Sequence, residues 1–158
     1  MNCGLRILIA LSMLLTLAAC SQQQWVDHQG SPVLAADLEG RWIVVNYWAE
    51  WCAPCRKELP ELNSLAVASG EVVVLGIHFD DYQGEELRVL SEEMDIRFSV
   101  VGHDFAEAYG LALPQILPTT YIIDPQGKLV HTLQGPQTEQ ELLGLLHTGE
   151  GIGGESND

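Results

Sequence analysis

Apolar positions along this chain come in runs of two kinds, and their periods predict different elements. Trp42 to Trp48 (WIVVNYW) and Glu71 to Phe79 (EVVVLGIHF) are rich in β-branched and aromatic residues with little alternation, as strands covered on both faces require. Between them, from about Ala53 to Ala68, Leu59, Leu62, Leu65 and Ala66 recur on one face of a helix. Pro60 falls inside that helix, where it removes a backbone donor and crowds the preceding turn, so a kink is expected. Gly84 to Ile96 (GEELRVLSEEMDI) reads as an amphipathic helix with Leu87, Leu90 and Met94 inward and its glutamates solvated.

A short strand, FSVV, and a helix around Asp104 to Tyr109 follow. Next comes a hairpin, Thr119 to Ile123 and Lys128 to Gln134, joined by the turn Asp124-Pro125-Gln126-Gly127. The last helix runs from about Thr138 to His147, with Thr138 as N-cap and Glu141 three residues on, a capping box. From Trp25 to Gly40 there are only short β-like pieces around the turn Gly30-Ser31-Pro32, and no internal repeat is present. Strands that alternate with helices and close on a hairpin predict an α/β sandwich.

The amino end decides what cysteines can do in such a fold. Arg6 precedes an apolar or small segment, Ile7 to Ala19, shorter than the roughly 18 to 20 residues a spanning helix needs, so residues 1–19 read as an export signal. Leu17-Ala18-Ala19-Cys20 resembles the lipobox of bacterial lipoproteins, which implies cleavage before Cys20 and a lipid on its thiol. In a Gram-negative cell Ser21 suggests transfer to the outer membrane, so the expected place is the periplasm, lipid-anchored. Residues 20–24 are then the lipidated cysteine and a short tether, and residues 25–148 the folded domain. The Gly-rich tail, residues 149–158, has too few apolar groups to order itself.

Without the signal, six basic residues face 22 acidic ones, a formal charge of −16. That field argues against nucleic acid and anionic membrane surfaces as partners. With Cys3 removed and Cys20 lipidated, Cys52 and Cys55 remain as thiols in an oxidising compartment. They sit where a strand gives way to a helix. Free N–H groups and the dipole at a helix start stabilise an anion, so Cys52 should titrate below the ordinary cysteine value of about 8.5. Cys55, one turn on, is within disulfide reach, and Pro54 occupies a first-turn position where a missing donor does no harm. No second CxxC or HxxxH pair supports structural zinc, Arg56 stands where a c-type haem site needs His, and a stapling bridge would close too small a loop to matter. Thiol–disulfide exchange is the favoured chemistry; a bound metal and a purely structural bridge are the other readings.

VVNYWAEWCAPC with its helix, followed by LPTTYIIDPQGKLV, resembles the thioredoxin superfamily from about Trp25 to His147. Within it the chain is similar to the TlpA-like branch of exported, membrane-anchored thiol–disulfide oxidoreductases, which includes reductases serving cytochrome c maturation. The resemblance implies a three-layer sandwich with a central mixed sheet and an N-terminal β extension. It also implies that Cys52 attacks, that Cys55 resolves the mixed disulfide, that Pro118 is a cis-proline facing them and that Trp51 docks partners. Thioredoxin has a buried Asp where this chain has Asn46, whereas TlpA-like proteins commonly have Asn. Glu50 is expected to be the carboxylate nearest the site, solvated at the surface. The approach to Pro118, LALPQILP, looks a few residues longer than usual in the family. If Asn46 lies beneath the CxxC, Asn46→Asp should raise the thiol pKa.

The implied partners are a protein disulfide and a membrane thiol electron donor, with the protein a monomer and without cofactor or metal. Pro54 before the second Cys favours a reductase. The alternative is a copper-binding protein using Cys52, Cys55 and one of His28, His78, His103, His131 and His147. A peroxidase of the same fold is disfavoured because Ala49 stands where such enzymes place an activating Thr.

Overall fold

Trp42–Trp48, β3, is buried at all seven positions because it is the middle strand of a five-stranded sheet. The computed structural model describes residues 23–68 and 70–149, so the signal, Cys20, Ser21 and most of the Gly-rich tail lie outside the described residues. A two-stranded antiparallel unit, β1 (Gln24–Val26) and β2 (Pro32–Leu34), comes first and is followed by a single-turn helix, α1 (Ala35–Leu38). After β3 the chain forms α2 (Ala53–Ala68), β4 (Val72–His78), α3 (Gly84–Glu93), β5 (Ser99–Val101) and α4 (His103–Ala108). β6 (Thr119–Ile123), β7 (Leu129–Gln134) and α5 (Glu139–Gly149) complete the fold.

The sheet order is β5-β4-β3-β6-β7. β4 runs parallel to β3 and β5, whereas β6 is antiparallel to β3 and β7, so the sheet is mixed. The period of two along β3 then divides the core. Trp42, Val44 and Trp48 face Leu59, Leu62 and Leu65 of α2 and Leu142 and Leu146 of α5. Ile43, Val45 and Tyr47 point the other way, to Trp25, Leu38, Phe105 and Leu111. Each fully buried leucine on α2 contributes about 1.5–3 kcal/mol relative to exposure. The expected three-layer sandwich with a small N-terminal β unit therefore forms.

Most expected elements form close to their expected bounds. α2 matches end to end, and the helix continues through Pro60. Leu87 is buried on α3, with Leu90 and Met94 packed beside it. The capping box closes at α5: Thr138 N donates to Glu141 Oε2 at 2.9 Å and Glu141 N donates to Thr138 Oγ1 at 3.2 Å. α1 is an addition to the expectation, since four residues with one buried leucine carry no readable period. Gly76 marks a close approach within β4: a Cβ there would lie 3.1 Å from both Phe98 Cε2 and Trp48 Nε1.

Candidate active site

Cys52 and Cys55 stand at the junction of β3 and α2 and are joined as a disulfide, with Cα atoms 5.3 Å apart. The loop turns tightly to bring them there: Cys52 N donates to Ala49 O at 3.1 Å, and Cys55 N donates to Cys52 Sγ at 3.2 Å. A main-chain N–H aimed at Cys52 Sγ, together with the α2 dipole, favours negative charge on that sulfur when the bond is reduced. Cys52 retains 4% exposure and Cys55 none, so an incoming group meets Cys52.

Period and register place a polar cluster on the same face of the sheet. Asn46 lies on the α2 side of β3, directly opposite Thr120 of β6, and both are fully buried. Its Nδ2 donates to Glu58 Oε1 at 2.6 Å and to Thr120 Oγ1 at 3.0 Å. Glu58 Oε2 accepts the Gln137 N–H at 3.0 Å. Only 1% of Glu58 is exposed, and burial pushes its carboxyl up to about 7, against the lowering effect of the Gln137 and Asn46 bonds. Glu58 and Cys55 are three apart on α2 and both buried, hence neighbours on one helix face.

Glu58 adds a buried carboxyl, three residues after Cys55, that the sequence reading does not single out. The signal was present in the sequence: Glu58 falls within the stripe Cys55, Leu59, Leu62, Leu65, where a charge is out of place. Glu50 is not simply solvated. Its side chain is 32% exposed, and its Oε2 lies 2.9 Å from Nε2 of His78, which is 1% exposed. Asp80 N donates to His78 Nδ1 at 3.2 Å, and Trp51 Nε1 donates to Asp80 Oδ2 at 2.9 Å.

Glu50, His78 and Asp80 bring metal-ligand atoms within 4.8 Å of one another, and neither cysteine belongs to the group. The bonds argue against a metal there. A neutral imidazole whose Nδ1 accepts an N–H carries its own proton on Nε2, and that proton is directed at Glu50. Two further histidines are also committed: His28 Nδ1 accepts Val100 N–H at 3.1 Å, and His103 Nε2 donates to His78 O at 2.9 Å. The side chain of His147 lies outside the described residues.

Pro118 is buried immediately before β6, and the Leu117–Pro118 peptide is cis. The pairing of Tyr47 with Thr119 brings this bond to the end of the sheet where the β3–α2 loop emerges. The preceding segment is tied down by Tyr121 OH, which donates to Ala112 O at 2.7 Å, and by Thr119 Oγ1, which donates to Ile116 O at 2.7 Å. Trp51, Leu113 and Ile116 are more than half exposed.

A dithiol that closes across one helical turn at the carboxyl end of the sheet's central strand makes the protein a thiol–disulfide oxidoreductase of the thioredoxin fold. The chain belongs to the AhpC/TSA family, whose profile matches residues 16–132. A thiol-disulfide oxidoreductase ResA of Bacillus cereus is 32% identical over 121 residues, covering 76% of this chain and 70% of that protein. A thiol:disulfide interchange protein DsbE homolog of Paracoccus denitrificans is 36% identical over 102 residues, covering 62% of this chain and 53% of its own length. Among solved structures, the exposed lipoprotein thioredoxin Etrx1 of Streptococcus pneumoniae superposes with a TM-score of 0.65 at 25% identity, covering 81% of this chain and 99% of that one. The oxidoreductase is thus of ResA/DsbE type, with Cys52 and Cys55 as its CxxC pair.

Proposed function

We propose that this oxidoreductase works outside the cytoplasm, held to a membrane by a lipid on Cys20, and reduces disulfides in other proteins. The observation that carries the reading is the bridged pair with its reachable sulfur at Cys52. The Cys52 thiolate attacks one sulfur of the client disulfide, forming a mixed disulfide and releasing the client's other sulfur as a thiolate, which takes up a proton. The Cys55 thiol gives its proton to Glu58, and the resulting thiolate attacks Cys52 Sγ. The second client sulfur leaves and is protonated in turn. Two electrons and two protons pass to the client, and the protein is left with its own disulfide, which a membrane thiol donor reduces. Glu58 suits the proton step because a carboxyl titrating at about 7 both accepts and returns a proton near neutrality.

Trp51, Leu113 and Ile116 offer exposed apolar surface to the client, and the family resemblance assigns Pro118, after its cis bond, the place facing the cysteines. Pro54 and the neutral Asn46 set the immediate surroundings of the pair. A glutathione redox titration tests the direction: the potential is expected nearer the thioredoxin value of about −270 mV than the DsbA value of about −120 mV. A value at the oxidising end overturns the reductase reading.

The anchor has its own test. Mass spectrometry of the native protein should find Cys20 as the first residue with lipid attached, and Cys20→Ala should move the protein out of the membrane fraction. An intact Met1 or an unmodified Cys20 rejects the anchor. The exposed-lipoprotein description of the pneumococcal thioredoxin supports this reading.

A further inference from the structure

The segment that delivers Cys52 is pinned to the end of β4. His78 meets Glu50 across 2.9 Å, Trp51 Nε1 reaches Asp80, and Arg56 donates to the Glu50 carbonyl from Nε at 2.9 Å and also from Nη2. His78 is an unusual residue to spend on this task. It pairs in register with Trp48, whose ring meets it edge-on at 4.8 Å, and Tyr82 stacks on it at 4.6 Å. An apolar ring would fill that slot equally well, but it would leave nothing to hold the carboxylate.

Glu50 stands two residues before Cys52 with its side chain about one-third exposed. Released from His78, its charge is free to turn towards the sulfur that must become a thiolate, and a like charge disfavours the thiolate. The other titratable or charged groups around the tie are Arg56 on the Glu50 carbonyl, Asp80 on Trp51, Tyr82 stacked on His78, and His103 on the His78 carbonyl. The Glu50 charge already acts on its neighbours, since it is the first cause holding the Tyr82 hydroxyl above its ordinary value.

We propose that His78 is a positioning residue whose Nε2–H bond ties the Glu50 carboxylate to the end of β4, so that the Cys52 thiolate forms without that charge turned on it. The proposal deepens the thiol–disulfide reading above and rests on it. The tie acts through Glu50, and His78 itself touches neither sulfur nor client.

The test is the rate of Cys52 alkylation by iodoacetamide against pH in the reduced full-length protein, read by mass spectrometry of the Cys52 peptide. His78→Phe keeps a ring between Trp48 and Tyr82 but removes the donor. Glu50→Asp keeps the charge on a part-exposed side chain too short to reach His78, so it tests the tie without touching the core. Each is expected to raise the thiol pKa and slow alkylation at pH 7 about two- to threefold. His78→Gln, which retains a donor, should stay near wild type. In a Glu50→Gln background, where no charge remains to be tied, His78→Phe should have no further effect. An unchanged Cys52 pKa in both His78→Phe and Glu50→Asp, or a His78→Phe shift that persists beside Glu50→Gln, overturns the proposal. Insulin reduction by the wild-type protein is scored separately, so failure of the reductase reading is distinguishable from failure of the tie.

Discussion

Cys52→Ser is expected to abolish reduction of insulin or of a native client, whereas Cys55→Ser is expected to accumulate mixed disulfides with clients. The asymmetry follows from exposure and bonding. Cys52 retains the accessible surface and receives the Cys55 N–H at its sulfur, while Cys55 is fully enclosed and can attack only a sulfur already delivered to Cys52. Removing the attacker stops the first step; removing the resolver lets that step proceed and blocks the second. Non-reducing electrophoresis of trapped adducts, with mass spectrometry of the linked peptides, checks both. If Cys52→Ser is the variant that traps clients, or Cys55→Ser turns over normally, the two roles are wrongly assigned.

Glu58→Gln is expected to slow resolution of the mixed disulfide by about a hundredfold, near the lower end of what a positioned acid–base group provides, and to remove an inflection near pH 7 from the rate profile. It should also change stability with a definite sign. Folding lifts the Glu58 carboxyl from 4.5 to about 7, so the folded protein binds that proton more tightly than the unfolded chain does. The stability linked to Glu58 is fully present below pH 4.5 and is lost as pH rises through about 7, a difference of at most about 3 kcal/mol. Urea unfolding of the wild type should therefore weaken between pH 5 and pH 8, and the Gln variant should lose most of that slope. The amide can be accommodated because Asn46 Oδ1, buried without a partner, can turn to accept from it. A wild-type profile flat across that range rejects the raised carboxyl.

The same cluster revises the expectation for Asn46→Asp. Asn46 is bonded to the helix after it at Glu58, so its amide faces a carboxyl that is already there. An Asp at that position would put two carboxylates against one another, and they would share a proton before either acted on a thiol. The sequence pattern shows the strand that carries Asn46 because its apolar residues are continuous. It does not reveal the partner: Glu58 is out of place in its own helical stripe, but it lies on a different element and no local pattern couples it to Asn46.

Other parts of the site divide in the same way. Cys52, Cys55 and Pro54 are legible because their spacing and the strand-to-helix junction are local features. The Glu50–His78 bond is not, because it joins a loop to a strand end through the pairing of Trp48 with His78. The cis geometry at Leu117–Pro118 is implied only by family resemblance, as either isomer suits that dipeptide. α1 escapes the sequence pattern because one turn is too short for its apolar residues to show a period.

Both cysteines belong to the same buried cluster as Leu59, Leu62 and Leu65, so the redox bond is part of the packed interior. The oxidation state of the pair is therefore coupled to the folding equilibrium by a closed cycle. Whatever free energy the folded surroundings add to favour the dithiol over its unfolded preference must appear as lower unfolding stability of the oxidised form. About 30 mV on the potential corresponds to about 1.4 kcal/mol on that difference. Paired denaturation curves with and without dithiothreitol thus measure how strongly this interior drives electron delivery, with no client or donor present.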